Sequence, residues 1–257
     1  MASISDSEFL RYQRQIALPE IGDSGQSKLK KARLLVIGCG GLGCSAIQHL
    51  ACSGVGNLVV ADGDTVEISN LPRQILYTEN EVGLPKVEAA KKAIARLNAS
   101  TKVRTINKRL EGSQLELECM MADLVLDCSD NFETRQAVNL ACMKSKTPLI
   151  SGAAIGWDGQ LSTFLYQDSQ PCYNCLYPIN ESQPNMRCSD AGVVGPVVGI
   201  IGTHQALTAI RIITTGKAAE SRLTLFDGLS MQFHQLKVAK DPACPVCNTN
   251  SDTQEEQ

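Results

Sequence analysis

The stretch Arg33 to Ala46, RLLVIGCGGLGCSA, constrains the fold more than any other part of the chain. An unbroken apolar run stops at glycines 38, 40, 41 and 43, and small residues follow. Glycines at this spacing let a strand turn sharply into a helix and let backbone come close to a ligand. The unpaired N–H groups of the helix's first turn then favour phosphate or ribose. Asp62 closes a second apolar run, NLVVAD, 19 residues after Gly43, the usual place for an acid that holds a ribose hydroxyl. The pattern predicts a βαβ unit that binds an adenine nucleotide, with a tight turn that binds nothing as the structural alternative. It carries no information about a nicotinamide.

Read outward from this unit, strands and helices alternate. Strands are expected over 32–38, 57–62, 102–110 and 122–130, and helices over 41–54, 86–98 and 131–146. Residues 63–85 lack periodicity and form a long connection. The segment PEIGDSGQSKL, 19–29, reads as a break between two helical pieces of an N-terminal arm over 1–31. TPLISGAAI and GQLSTFLYQ are further strands, the second an antiparallel edge; 197–216 is a long apolar helix, and RLTLFDG and FHQLKV close the sheet. The expected fold is α/β: a Rossmann-like, doubly wound, mainly parallel sheet with antiparallel additions after residue 150. One domain over 1–247 and a frayed polar tail over 248–257 are expected for a chain of 257 residues.

A net charge of −3 gives no general attraction to nucleic acid or to an anionic membrane. The N-terminus carries acids early and no apolar leader, so the chain reads as soluble and cytosolic. Eleven cysteines in such a chain point to metal ligation, redox chemistry or packing rather than disulfides. Cys39, Cys44, Cys52, Cys119, Cys128 and Cys142 lie in apolar segments and are read as small core residues. Cys172 and Cys175 in CYNC, with Cys244 and Cys247 in CPVC, form two C-x-x-C knuckles, the four thiolates that structural zinc prefers. With 68 residues between the pairs, such a zinc clips the chain's end onto its middle rather than forming a finger. A thioredoxin-like role is the competing reading for either pair. Cys188 stands in a polar setting beside Arg187, and an inert thiol and a nucleophile are both open for it.

After Asp62 the sequence departs from what hydride transfer needs. SNLPRQ places Asn70 and Arg73 beside the nucleotide, and Lys86 opens the next helix. A triphosphate under attack needs cations of this kind, whereas a dinucleotide does not. Asp130 follows the DLVLDCSD strand, where a doubly wound sheet presents its working groups, and a carboxylate there suits Mg²⁺. Taken singly, Arg73 and Lys86 are solvated charges and Asp130 is a cap for the NFETRQ helix; together they form a phosphate-handling set.

Taken together, these motifs resemble the sulfur-carrier adenylyltransferases of thiamin and molybdopterin biosynthesis, the ThiF and MoeB proteins related to ubiquitin-activating enzymes. The resemblance runs from RYQRQI through GCGGLG, ADGDTVEISNLPRQ, GLPK, DCSDN, ISGAAIGWDGQ, CYNC, RCSDAGVVGPVVGIIGT and LFDG to CPVC. It implies that Gly41, Asp62, Ser69, Asn70, Leu71, Pro72, Arg73, Lys86, Asp130 and Asn131 bind ATP and its Mg²⁺. It also implies that Arg14 reaches the other subunit's site in a homodimer, that Cys172, Cys175, Cys244 and Cys247 hold Zn²⁺, and that Cys188 serves sulfur transfer. Pro72 and Cys39 depart from the family pattern; Pro72 is expected to tilt the Arg73 loop and Cys39 to alter packing only. The implied reaction joins the C-terminal glycine carboxylate of a ubiquitin-like carrier to AMP, for later conversion to a thiocarboxylate with sulfur from another protein. That nucleophile is already ionised at neutral pH, which fits three histidines, His49, His204 and His234, with none in a motif. AGVVGPVVG, LFDG and CPVC favour the thiamin carrier, ThiS, while ISGAAI and GQLSTFLYQD favour the molybdopterin carrier, MoaD. A nicotinamide oxidoreductase and a catalytically dead zinc module are the readings from other classes.

Overall fold

The computed structural model describes residues 4–167, 169–179, 192–216 and 221–248. Two helices, α1 (Asp6–Ile16) and α2 (Gly22–Lys31), lead into β1 (Arg33–Ile37), α3 (Gly41–Cys52) and β2 (Asn57–Ala61). The 63–85 connection holds short 3₁₀ turns at Ile68–Asn70 and Glu79–Glu81 before α4 (Lys86–Leu97) and β3 (Lys102–Ile106). Next come α5 (Gly112–Met120), β4 (Leu124–Asp127), α6 (Phe132–Ser145), β5 (Leu149–Ile155) and β6 (Asp158–Phe164). The described chain ends with the single turn α7 (Tyr173–Leu176), α8 (Gly195–Thr215), β7 (Arg222–Asp227) and β8 (Gln232–Lys237).

All eight strands form one sheet in the order β3-β2-β1-β4-β5-β6-β7-β8. The first five are parallel. The pairs from β5 to β8 are antiparallel. Strand alternation sends side chains to two cores. Leu34, Val36, Leu58, Val60, Leu124 and Leu126 pack toward α3, α4 and α8, while Leu35, Ile37, Val59 and Val125 pack toward α5 and α6. Helices cover both faces of the parallel part, which is why its strands read as continuous apolar runs.

By length and composition α8 is apolar enough to cross a membrane, but half of its apolar stretch is buried in the protein. Its Val197, Val198, Ile201, Ala206 and Ala209 belong to the core. A Cβ on Gly202 would stand 2.3 Å from the Leu42 carbonyl oxygen, so this glycine lets α8 lie backbone to backbone on α3.

Several expectations are corrected. Most of the expected break at 19–29 is helix α2. Leu29 and Gln26 are buried there, and a Cβ on Gly25 would touch Thr214 of α8 at 3.2 Å, so packing overrides the weak helix propensity of glycine. Helix α5 has no counterpart among the expected elements; Leu115 and Cys119 point inward while Leu117 and Met120 are exposed, which blurs its periodicity. β3 stops at Ile106, and β6 is interior, with β8 at the edge. Cys52 is exposed, whereas Cys39, Cys44, Cys119, Cys128 and Cys142 are buried as expected. Cys188 and tail residues 249–257 lie outside the described residues.

Candidate nucleotide and metal sites

The order of strands reverses between β1 and β4, so their carboxyl ends open a crevice, the position at which doubly wound sheets bind ligands. Three glycines of the opening motif are required by protein packing at this point. Gly38, at φ +96°, would put a Cβ 2.7 Å from the Cys128 carbonyl oxygen; Gly43 would put one 2.0 Å from the Gly38 oxygen, and Gly41 one 2.6 Å from Val198 Cγ2. Gly40 differs: a Cβ there would meet only Gln74 Nε2, at 3.9 Å. Gly40 is also the N-cap of α3, and no side chain caps that helix, so its first N–H groups have no side-chain acceptor. An uncapped N-terminus beside open space suits an anion.

Asp62 braces the turn. Its Oδ2 accepts from Cys39 N at 2.6 Å and its Oδ1 from Asp64 N at 2.8 Å. Burial pushes its carboxyl above the usual range, and the Lys86 ammonium and the two backbone donors oppose that. From the opposite side, the Tyr77 hydroxyl donates to the Cys39 carbonyl at 2.9 Å.

The SNLPRQ segment wraps over the crevice. Asn70 is buried; its Nδ2 donates to Glu67 at 3.3 Å and Ser69 Oγ at 3.2 Å, while its Oδ1 accepts from Gln74 Nε2 at 2.7 Å. Ser69 Oγ donates to Glu67 at 3.2 Å. Leu71 packs on the core. The backbone of Pro72 approaches so closely that a Cβ on Gly195 would lie 2.4 Å from the Pro72 oxygen. The loop is therefore seated on the start of α8. Arg73 is half-buried, with Nη1 donating to the Ser69 carbonyl at 3.0 Å. Lys86, the first residue of α4, is buried, and its Nζ donates to Asp64 Oδ2 at 2.7 Å.

Asp130 is exposed after β4, and its described contact is Asn131 Nδ2 at 3.4 Å. The cap of α6 is Asn131, not Asp130: Asn131 Oδ1 accepts from Thr134 N at 2.9 Å and from Arg109 Nη2 at 3.0 Å. Asp127, not singled out from the sequence, is fully buried beneath this turn. It accepts from Ser129 N at 3.0 Å, Ser129 Oγ at 2.6 Å and Ser151 Oγ at 3.2 Å. Arg135 donates to the Ser129 carbonyl at 2.8 Å. Gln74, Tyr77 and Asp127 hold the site residues without standing at the mouth themselves. The D-x-S spacing of DCSD, an Asx turn, was the available signal for Asp127.

Arg14 stands apart. Helix α1 is tied down where Tyr12 accepts from Asn98 Nδ2 at 2.8 Å and Gln15 donates to the Ser53 carbonyl at 2.8 Å. Both anchors precede strands, so α1 lies at the amino ends of β2 and β3, and a five-residue strand, about 17 Å long, separates it from the glycine turn. Arg14 is exposed in the last turn of α1, beyond reach of its own crevice.

The four knuckle cysteines converge. Cys172 Sγ is 4.0 Å from Cys175 Sγ and 3.7 Å from Cys244 Sγ, and Cys175 is 3.4 Å from Cys247. Tetrahedral zinc with its usual thiolate bonds sets sulfurs about 3.8 Å apart. All four sulfurs lie within 4.8 Å of one another, so the two C-x-x-C pairs form one cluster rather than two separate dithiols. The hydrogen bond from Cys172 lowers the Cys175 thiol below the ordinary cysteine range, while Cys172 is raised by the shared proton and by burial, and Cys247 by burial and by the shared protons. Asn174 Nδ2 donates to Cys244 Sγ at 3.4 Å, a support around the ligands of the kind metal sites need. Four cysteine ligands close the coordination shell, so the donor set fits structural zinc.

The ThiF family model matches residues 12–246. The molybdopterin-synthase adenylyltransferase of Escherichia coli (strain K12) is 44% identical over 248 residues, 96% of this chain and 99% of that protein. The sulfur carrier protein ThiS adenylyltransferase of the same strain is 44% identical over 250 residues, 97% and 99% of the two chains. E. coli MccB, solved with MccA-N7isoASN, superposes with a TM-score of 0.81 at 22% identity, over 96% of this chain and 76% of that one, a likeness of fold. A glycine turn at a topological switch point, a cationic loop over it and a match that spans nearly the whole chain place this protein in the ThiF family.

Proposed function

We propose that this adenylyltransferase activates the C-terminal glycine carboxylate of a ubiquitin-like sulfur carrier of thiamin or molybdopterin biosynthesis. The observation that carries the reading is the uncapped α3 N-terminus at the strand-order switch, with Lys86 linked to the glycine turn through Asp64 and Asp62 and Asp130 following the adjacent strand β4. A carrier carboxylate, ionised at neutral pH with a pKa of about 3.5, attacks the α-phosphorus of ATP. The new oxygen–phosphorus bond forms as the bond to the β-phosphate oxygen breaks, and pyrophosphate leaves with the electron pair. No general base is needed. Catalysis rests on in-line positioning and on cations that offset charge on the phosphates. The α3 amides and Lys86 hold the phosphates, Arg73 closes over them, and Asp62 takes the ribose through lone pairs left beside its two backbone donors. Asp130 would hold Mg²⁺, which would supply charge neutralisation to the triphosphate. Arg14 acts on the crevice of a second copy, since a strand's length separates it from its own. Cys188 serves the later sulfur step. The zinc cluster is structural.

The two carriers are distinguished by neither identity value, since both E. coli relatives stand at 44%. AGVVGPVVG, LFDG and CPVC support the thiamin carrier, and the molybdopterin carrier is the equal alternative. Incubation with ATP and each purified carrier ending in Gly-Gly, followed by mass spectrometry, tests the reading. A carrier adenylate with at least one of them is expected, and no adenylate with any carrier overturns the proposal.

A further inference from the structure

Lys86 carries an unusual pairing. Its stem is buried, with 7% of the side chain exposed, whereas the Asp64 side chain bonded to it is 72% exposed. The ammonium therefore lies at the mouth of the crevice, held by a carboxylate from the solvent side. A backbone framework fixes this geometry. Lys86 N donates to Asp64 O at 2.9 Å, Thr65 bridges Pro85 in antiparallel fashion, and Val66 N donates to Leu84 O at 2.9 Å. The ladder sets Asp64 opposite Lys86 whatever the two side chains do. Asp64 N also donates to Asp62 Oδ1, and Asp62 Oδ2 accepts from Cys39 N, so the pair is linked to the glycine turn.

We propose that Asp64 is a positioning residue for Lys86, keeping its ammonium charged and directed at the entering phosphates. This rests on the adenylyltransferase reading, in which Lys86 binds phosphate. The bland alternative is an ordinary surface ion pair with no function. Burial alone would lower the Lys86 pKa, yet it is raised, because Asp62 and the hydrogen-bonded Asp64 together outweigh desolvation. The titratable groups that face Lys86 are Asp62 at the end of β2, Asp64, Cys39 in the glycine turn and Cys44 on α3. Asp62 has two backbone donors of its own, whereas Asp64 bonds the ammonium directly.

The test is carrier-dependent ATP–pyrophosphate exchange by the full chain from pH 6 to pH 10.5, with Asp64→Asn, Asp64→Glu and the double variant Lys86→Arg, Asp64→Asn. For Asp64→Asn the alkaline limb is expected to fall by about 1–2 pH units, the usual effect of removing one close opposite charge. Its KM for ATP should rise about tenfold with kcat changed far less, and Asp64→Glu should recover most of both. In the Lys86→Arg background the limb should not move, because a guanidinium stays charged throughout this range. A wild-type limb and KM in well-folded Asp64→Asn overturn the proposal. If the wild-type chain exchanges with no carrier, the adenylyltransferase reading fails instead. Titration of the Lys86 side chain by carbon-13 NMR still decides the local claim: a midpoint lowered in Asp64→Asn supports it, and an unchanged one overturns it.

Discussion

Asp130 and Gly43 show how differently single residues matter here. Asp130 is exposed, and its side-chain hydrogen bond among the described residues is to its neighbour Asn131, so Asp130→Ala should leave the melting temperature unchanged. Exchange should nevertheless fall by about 10²–10³-fold, the scale for losing one centre of electrostatic stabilisation. Calorimetry beside exchange kinetics checks both halves, and near-native exchange would sink the role. Gly43→Ala should do the opposite, because its Cβ would sit 2.0 Å from the Gly38 oxygen, which cannot yield without moving the turn. A loss of about 2–3 kcal/mol in denaturant unfolding is expected. Gly40→Ala, with open space before it, should fold normally and weaken ATP binding instead. The motif thus holds two kinds of glycine, and isothermal titration with ATP against urea unfolding separates them.

Elements carry the next set of consequences. The single turn α7 and the end of the described chain meet only through four sulfurs and their surroundings, yet α7 also packs on α6: Tyr173 N donates to Asn139 Oδ1 at 2.9 Å, and Gln136 donates to the Tyr177 carbonyl at 2.6 Å. Cys244→Ser, or chelation of the metal, should release the C-terminal segment and lower the melting temperature, with metal content falling in parallel by elemental analysis. Retention of both metal and melting temperature would remove the zinc assignment. Sequence alone revealed the cysteine cluster well, since two knuckles with one spacing have few other uses. Elements whose pattern depends on partners were less legible. Helix α2 contains two glycines and is fixed by Leu29, Gln26 and the contact of Gly25 with Thr214, none of which periodicity can show. Helix α5 buries only a narrow face. Gln74, Tyr77 and Asp127 carry no motif of their own, because each holds another residue in place: Asn70, the Cys39 carbonyl and Ser129 respectively.

At the scale of the whole molecule, the arm and the crevice lie at opposite ends of the sheet. If Arg14 serves a second copy, inactive Arg14→Ala and Asp130→Ala chains, mixed and allowed to exchange subunits, should regain about a quarter of wild-type activity. Half the dimers are then mixed, with one intact site of two. No recovery would place Arg14 elsewhere. The arm itself is expected to respond to acid. The Lys30 ammonium beside Glu8, together with the Ser5 backbone N–H, holds that carboxyl down to about 2. A depressed acid stabilises above its ordinary pKa and loses its contribution as protonation sets in, so docking of α1 should weaken between about pH 4.5 and 2. Amide exchange in α1 across that range should show it, and Glu8→Gln should remove the pH dependence.

The βαβ core, the glycine turn, the cationic loop, the helix start at Lys86 and the four clustered cysteines are all legible in the sequence. Each depends on local pattern: apolar periodicity, glycine spacing, or thiols at a fixed interval. The folded chain shows which glycine is open to a ligand, that Asn131 rather than Asp130 caps α6, that Asp64 holds Lys86, and that Arg14 is a strand's length from its own crevice. These depend on contacts between residues far apart in the chain, where direction and distance, rather than residue type, set the chemistry.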